Sequence, residues 1–86
     1  MRTMKIRTRY FASLREALGP AETIELPPGS TVASARDALI ARGGMHAQVL
    51  ARGRALRCAV NRQMVEEQYA LSDDAELAFF PPVTGG

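Results

Sequence analysis

Only one long stretch of this chain, residues 32–42, repeats apolar side chains at helical spacing. Val32, Ala35 and Leu39 recur there, Ser30 or Thr31 can cap its start, and Gly43-Gly44 stops it. The other patterned stretches are strand-like or very short. A single main helix has no second helix of its size to pack on. Its apolar stripe therefore has to be covered by a sheet, which points to a two-layer α+β domain.

The flanking stretches supply that sheet. Met4–Tyr10 alternates, with Met4, Ile6, Thr8 and Tyr10 on one face and Lys5, Arg7 and Arg9 on the other, the period of a half-buried strand. Ser13-Leu14-Arg15-Glu16 matches a capping box, and Gly19-Pro20 ends the short helix it would start. Residues 23–26 read as a second strand and Pro27-Pro28-Gly29 as a turn. Beyond the main helix, residues 45–51 form one further short helical piece. Residues 56–60 and Gln63–Val65 are strands flanking the turn Asn61-Arg62. Leu71-Ser72-Asp73-Asp74 is another turn. Residues 75–80 are the last strand, stopped by Pro81 because proline cannot donate to a ladder. The order β-(short α)-β-α-β-β-β suits a β-grasp fold: a mixed five-stranded sheet over one main helix, with the first and last strands side by side in the middle. Residues 1–80 make that domain, and residues 81–86 a flexible tail.

With 86 residues there is room for one domain. It buries roughly 60–65% of the surface its unfolded chain exposes, leaving little space for a deep catalytic pocket. Apolar runs are far too short to span a membrane, no charged-then-apolar leader opens the sequence, and one cysteine allows no internal disulfide. The cytoplasm is the expected location. A net charge of +2 is too weak to argue for nucleic acid. Arginines clustered within residues 2–9 and 52–57 can be a solvated surface or a basic face for an acidic protein partner.

The sequence closes on "FFPPVTGG". A terminal carboxylate, with a reference pKa of roughly 3.3–3.7, is ionised and a poor electrophile at neutral pH. It reacts only once activated, for example as an acyl-adenylate. Gly85 and Gly86 lack Cβ atoms and let other backbones and phosphates come close. Pro81-Pro82 hold the base of the tail extended. From Pro81 the tail reaches at most roughly 20 Å, enough to enter a partner's active site from a docked globule. The competing reading is a frayed terminus that happens to end in glycines.

Strand parity makes a separate point. Leu77 and Phe79 share one face of the last strand and belong to the core, so Phe80 points outward at the root of the tail. Val65 falls inward and Met64 outward. A β-grasp sheet would gather Phe11, Met64 and Phe80 on one open face, a cluster that suggests docking. Arg7, Arg9 and Arg57 would surround it. The competing reading turns Phe11 into the core.

Other candidates are weaker. Cys58 lies on the inward parity with Leu56 and reads as a buried structural thiol. His46 has no partner for a metal site. Asp73, Asp74 and Glu76 read as turn and edge residues, and Glu66-Glu67 as a solvated pair. Gly43-Gly44 lacks the lysine and serine of a phosphate loop. No catalytic constellation is present.

Taken with the preceding "LSDDAELA", the closing octet resembles the C-terminus of molybdopterin synthase small subunits. "RYFASLREALG" (residues 9–19) and "AVNRQMV" (59–65) resemble that family's first strand and helix and its hairpin, while residues 41–54 match least. The octet is the specific part. The resemblance implies a ubiquitin-like β-grasp sulfur carrier, not an enzyme by itself, which binds no cofactor or metal. In that family an E1-like adenylating enzyme uses ATP to adenylate the final glycine, here Gly86. A sulfurtransferase system then converts the adenylate to a thiocarboxylate. The carrier docks on the synthase large subunit and threads its tail, here Pro81, Pro82, Val83, Thr84, Gly85 and Gly86, into the active site. There sulfur passes to cyclic pyranopterin monophosphate, building the molybdopterin dithiolene within a heterotetramer. The family's apolar docking residues fall on Phe11, Met64 and Phe80, with Met64 replacing a more usual leucine. No nucleic acid or membrane partner is implied.

Other readings stay open from the sequence: a sulfur carrier for thiazole, cysteine or tRNA thiolation, a modifier conjugated to lysine through Gly86, or a plain interaction module.

Overall fold

The computed structural model describes residues 2–82. Its elements are β1 (Met4–Tyr10), α1 (Ser13–Leu18), β2 (Ala21–Leu26), α2 (Val32–Ile40), α3 (Gly44–Val49), β3 (Arg57–Val60), β4 (Gln63–Val65) and β5 (Glu76–Phe80). The strands form one sheet in the order β2-β1-β5-β3-β4. β1 and β5 run parallel, side by side, with Tyr10 opposite Phe79. The pairs β1–β2, β3–β4 and β3–β5 are antiparallel. This is the α+β β-grasp arrangement the element order implies.

Alternation decides which face the helices cover. Met4, Ile6, Thr8 and Tyr10 of β1 are buried while Lys5, Arg7 and Arg9 are exposed. Leu77 and Phe79 of β5 and Ile24 and Leu26 of β2 point the same way. Val32, Ala35 and Leu39 from α2 meet them, and Leu14, Leu50, Leu71 and Val60 complete the core. Truncating a fully buried leucine such as Leu39, Leu50 or Leu77 to alanine costs about 2–5 kcal/mol. Thr8 buries its hydroxyl in this core without a hydrogen-bond partner among the described residues.

Several boundaries differ from the sequence reading, each for a local reason. Ser13 does not cap α1. The cap position is Ala12, at φ 54°, with no side-chain hydrogen bond. The chain leaves β1 through Phe11 N–H donating to Phe79 O (3.2 Å), and Ala12 makes the sharp turn that follows. Ser13 is then already inside the first turn. On α2, Thr31 is the cap, and its box is closed by Ser34. The helix stops at Ile40, two residues before Arg42, and Gly43 at φ 76° separates it from α3. β2 starts two residues early, at Ala21, because β1 pairs with it along its whole length. Glu76 does not stand at an edge: β5 is the central strand.

The Glu66-Glu67 reading fails for Glu67. Arg36, on the buried stripe of α2, sends Nη1 to Glu67 Oε2 at 2.6 Å. Its other nitrogens donate to the carbonyls of Leu50 (2.7 Å), Ala51 (2.5 Å) and Arg54 (2.9 Å). A buried guanidinium is tolerable when its donors are satisfied, and here they hold the loop between α3 and β3. Arg52 joins by bridging Asp37 and Glu67. The arginines of residues 52–57 therefore do not act as one basic face, since Arg52 is tied to this staple and Arg57 lies on the sheet.

Candidate functional site

The face of the sheet opposite the helices is uncovered. β5 crosses its centre, so the outward residues of its neighbours converge on Glu76, Ala78 and Phe80. From β1 come Arg7 and Arg9, and Phe11 just past the strand end. From β3 come Arg57, directly opposite Phe80, and Ala59, opposite Ala78; from β4 comes Met64, opposite Ala59. Small side chains at Ala59 and Ala78 leave a shallow groove of about 300 Å³ between the larger ones. It is lined by Phe11, Met64, Phe80, Ala59, Ala78, Arg9, Arg62 and Glu76. The sequence-derived trio Phe11, Met64 and Phe80 is thus brought together.

Phe11 does not turn into the core. It is 39% exposed and Met64 is 56% exposed. The Phe11 ring meets Phe80 edge to face, with centroids 6.4 Å apart and planes at 83°, and the Arg9 guanidinium lies 5.6 Å over the Phe11 ring. Phe79, one residue earlier in the chain, is buried. Electrostatically the face is mixed. Arg7 pairs with Asp74 (3.4 Å) and Arg9 with Glu76 (3.2 Å), while Arg62 reaches Glu76 at 4.0 Å. Asp73 is not free either: it accepts from the Lys5 backbone N–H at 2.9 Å. Pro81 and Pro82 leave β5 at the edge of this patch, half-buried. The remaining tail residues read from the sequence, Val83, Thr84, Gly85 and Gly86, lie outside the described residues.

A catalytic centre does not emerge from the other candidates. Cys58 is buried, its thiol donates to Val65 O at 3.3 Å, and burial followed by the Glu67 charge pushes its pKa up. A thiol kept protonated and covered is a poor nucleophile. His46 Nε2 sits 2.7 Å from Glu22 Oε2. Among the described residues no group of three or more His, Cys, Asp or Glu side chains is arranged to hold a metal ion. No helix among them is long and apolar enough to cross a membrane.

Sequence reasoning missed two members of the site. Glu76 lies between Arg9 and Arg62 in the groove, a placement that follows from β5 being central. Arg62 projects from the β3–β4 turn. Its signal was present: at the second position of a two-residue hairpin turn, arginine stands where glycine is favoured.

Comparison with known proteins bears on this geometry. The family model of the ThiS family matches residues 8–86. The molybdopterin synthase sulfur carrier subunit of Escherichia coli (strain K12) is 38% identical over 81 residues, covering 94% of this chain and 99% of its own length. A putative molybdopterin converting factor subunit 1 from Pyrococcus furiosus superimposes with a TM-score of 0.78 at 28% identity, covering 93% of this chain and 99% of that one. Small archaeal modifier protein 1 of H. volcanii superimposes with a TM-score of 0.76 at 25% identity, over 93% and 99% of the two chains.

Proposed function

The chain belongs to the ThiS family, and from that premise we propose that it carries sulfur as a C-terminal thiocarboxylate for molybdopterin synthesis. The observation that carries this reading is the open face: an aromatic and methionine patch beside the point where Pro81 and Pro82 leave the central strand. A globule docked through Phe11, Met64 and Phe80 directs residues 81–86 into the partner. The domain at residues 1–80 is the grip, and the tail is the reactive part.

The chemistry needs no catalytic side chain from this chain. An E1-like enzyme transfers an adenylyl group from ATP to the Gly86 carboxylate, releasing pyrophosphate. Sulfide-level sulfur supplied by a sulfurtransferase system then attacks the acyl-adenylate, a C–S bond forms as the C–O bond to AMP breaks, and Gly86 becomes a thiocarboxylate. Docked on the molybdopterin synthase large subunit, the thiocarboxylate sulfur forms a C–S bond to an oxygen-bearing side-chain carbon of cyclic pyranopterin monophosphate, whose C–O bond breaks, and stays linked through sulfur to the Gly86 acyl group. Hydrolysis of the resulting acyl link returns Gly86 as a carboxylate. Proton transfers fall to the partners, ATP is consumed by the activating enzyme, and the chain holds no cofactor of its own. We expect the chain to work in the cytoplasm, where ATP is available to the activating enzyme.

Sulfur transfer reconstituted with purified partners tests the reading. Deleting Gly86, or adding one residue after it, should abolish molybdopterin formation and leave the melting temperature unchanged, because Gly86 follows the last strand by six residues in sequence. Normal yield from the shortened chain would refute it. The likeness to small archaeal modifier protein 1 favours a second reading, conjugation through the same Gly86 to lysines of other proteins. That reading predicts isopeptide-linked Gly-Gly remnants on lysines of host proteins.

A further inference from the structure

The turn between β3 and β4 is built against the grain of its sequence. Asn61 (φ 50°) and Arg62 (φ 71°) both adopt left-handed backbone. Two-residue hairpin turns of this kind favour Asn-Gly, since asparagine tolerates that region and glycine has no Cβ to strain. Asn61 fits. It also clamps the turn to the central strand, donating its N–H to Glu76 O at 2.8 Å and accepting from Glu76 N–H at its Oδ1 at 3.0 Å. Arg62 does not fit, and the fold gains little from it. Its side chain is 89% exposed, and its contact with Glu76, at 4.0 Å, is at the outer limit of ion pairing. Glu76 is already engaged by Arg9 at 3.2 Å. A strained arginine held in a fixed turn beside an apolar groove marks a position kept for something other than stability.

We propose that Arg62 receives a carboxylate of the protein partner that covers the open face. Charge complementarity argues for an acidic occupant: Arg9 and Arg62 line the groove against a single acidic residue, Glu76, which Arg9 already engages, and Arg57 stands opposite Phe80 on the neighbouring strand. The clamped turn pre-orients the guanidinium, so less freedom is lost on binding. Arg62 then acts as a specificity residue, favouring partners with an acidic group at the rim of an apolar docking segment. The inference rests on the docking role proposed above, with the synthase large subunit as the partner taken from that reading.

The test is titration calorimetry of the full-length chain against the large subunit of its own source organism, at low and high salt. Arg62→Gln, which keeps the backbone and loses the charge, should bind about three- to tenfold more weakly at low salt, with the difference shrinking at high salt. Arg62→Lys should retain most of the affinity. Arg62→Gly should melt no lower than the parent chain while binding as weakly as Arg62→Gln. Unchanged binding by Arg62→Gln at both salts, alongside a large loss for Phe80→Ala, overturns this inference and leaves the docking reading standing. A markedly lower melting temperature for Arg62→Gly overturns it by showing that Arg62 serves the fold. No binding by the parent chain overturns both.

Discussion

Phe80 lies edge to face against Phe11, 6.4 Å between ring centroids, although the two residues are separated by nearly the whole chain. Parallel pairing of β1 with β5 sets Tyr10 beside Phe79 in the core and so brings the next residues, Phe11 and Phe80, together on the other face. In the proposed docking role the pair forms an anchor that is assembled before any partner arrives. Phe80→Ala should cost about 2–4 kcal/mol of docking, roughly a 30- to 1,000-fold loss of affinity, with little change in the unfolding midpoint. Phe79→Ala should do the reverse, costing about 3–5 kcal/mol of folding stability. Calorimetric binding and thermal unfolding of the two variants separate these outcomes; an exchange of their effects would refute the assignment of faces.

Cys58 offers the only thiol, and sulfur chemistry invites giving it a role. Its burial, its raised pKa and its hydrogen bond to Val65 O argue for packing instead. Cys58→Ser should lose about 1–2 kcal/mol, because a hydroxyl is costlier to bury than a thiol even when Val65 O can accept from it. The folded variant should still be loaded with sulfur, as measured by intact mass after incubation with activating enzyme, ATP and a sulfur donor. Failure of the folded variant to load would place Cys58 in the chemistry.

Much of this architecture is legible in local pattern. Val32, Ala35 and Leu39 mark the helix by their spacing, and Leu77, Phe79 and Phe80 sort to opposite faces by parity alone. What resisted reading depends on partners far away in the chain. Arg36 sits on the apolar stripe, but its acceptors at Leu50, Ala51, Arg54 and Glu67 lie 14 to 31 residues on, and only the fold brings them near. Glu22 looks like an ordinary strand glutamate, yet it accepts from Tyr10 at 2.7 Å and pairs with Arg42 and His46. Ser13 illustrates the opposite failure: its capping pattern was correct as a local signal, and the strand register at Phe11 and Phe79 overrode it. Of the docking trio, all three positions followed from parity. The sequence reading expects Arg7, Arg9 and Arg57 beside them but not Glu76 or Arg62, since Glu76 reads as an edge residue and Arg62 only as part of a turn.

The acidic clusters predict how the fold responds to pH. For Glu22, burial opposes ionisation, but hydrogen bonds from His46, Tyr10 and Arg42 outweigh it and hold the carboxyl below its ordinary 4.5. For Glu67, burial is likewise outweighed by hydrogen bonds from Arg52 and Arg36. Both are depressed in the folded state, so the unfolded chain binds more protons below about pH 4.5. The stability they contribute is fully present above that value and is lost as pH falls through their folded-state values. Chemical denaturation between neutral pH and pH 3 should therefore show stability declining below about pH 4.5. The double variant Glu22→Gln, Glu67→Gln should be less stable at neutral pH and show a flatter acid limb. An unchanged acid limb in that variant would remove these two carboxylates as its cause.

The central claim is that Gly86 carries sulfur, and intact mass measures this directly. The chain purified from its native host, or loaded in vitro with activating enzyme, ATP and sulfur donor, should show a species about 16 Da heavier than the sequence mass, oxygen replaced by sulfur. Fragmentation should confine the added mass to Gly86, and deleting Gly86 should remove it. A chain that keeps its sequence mass under loading conditions, or gains sulfur at Cys58 instead, would contradict the account.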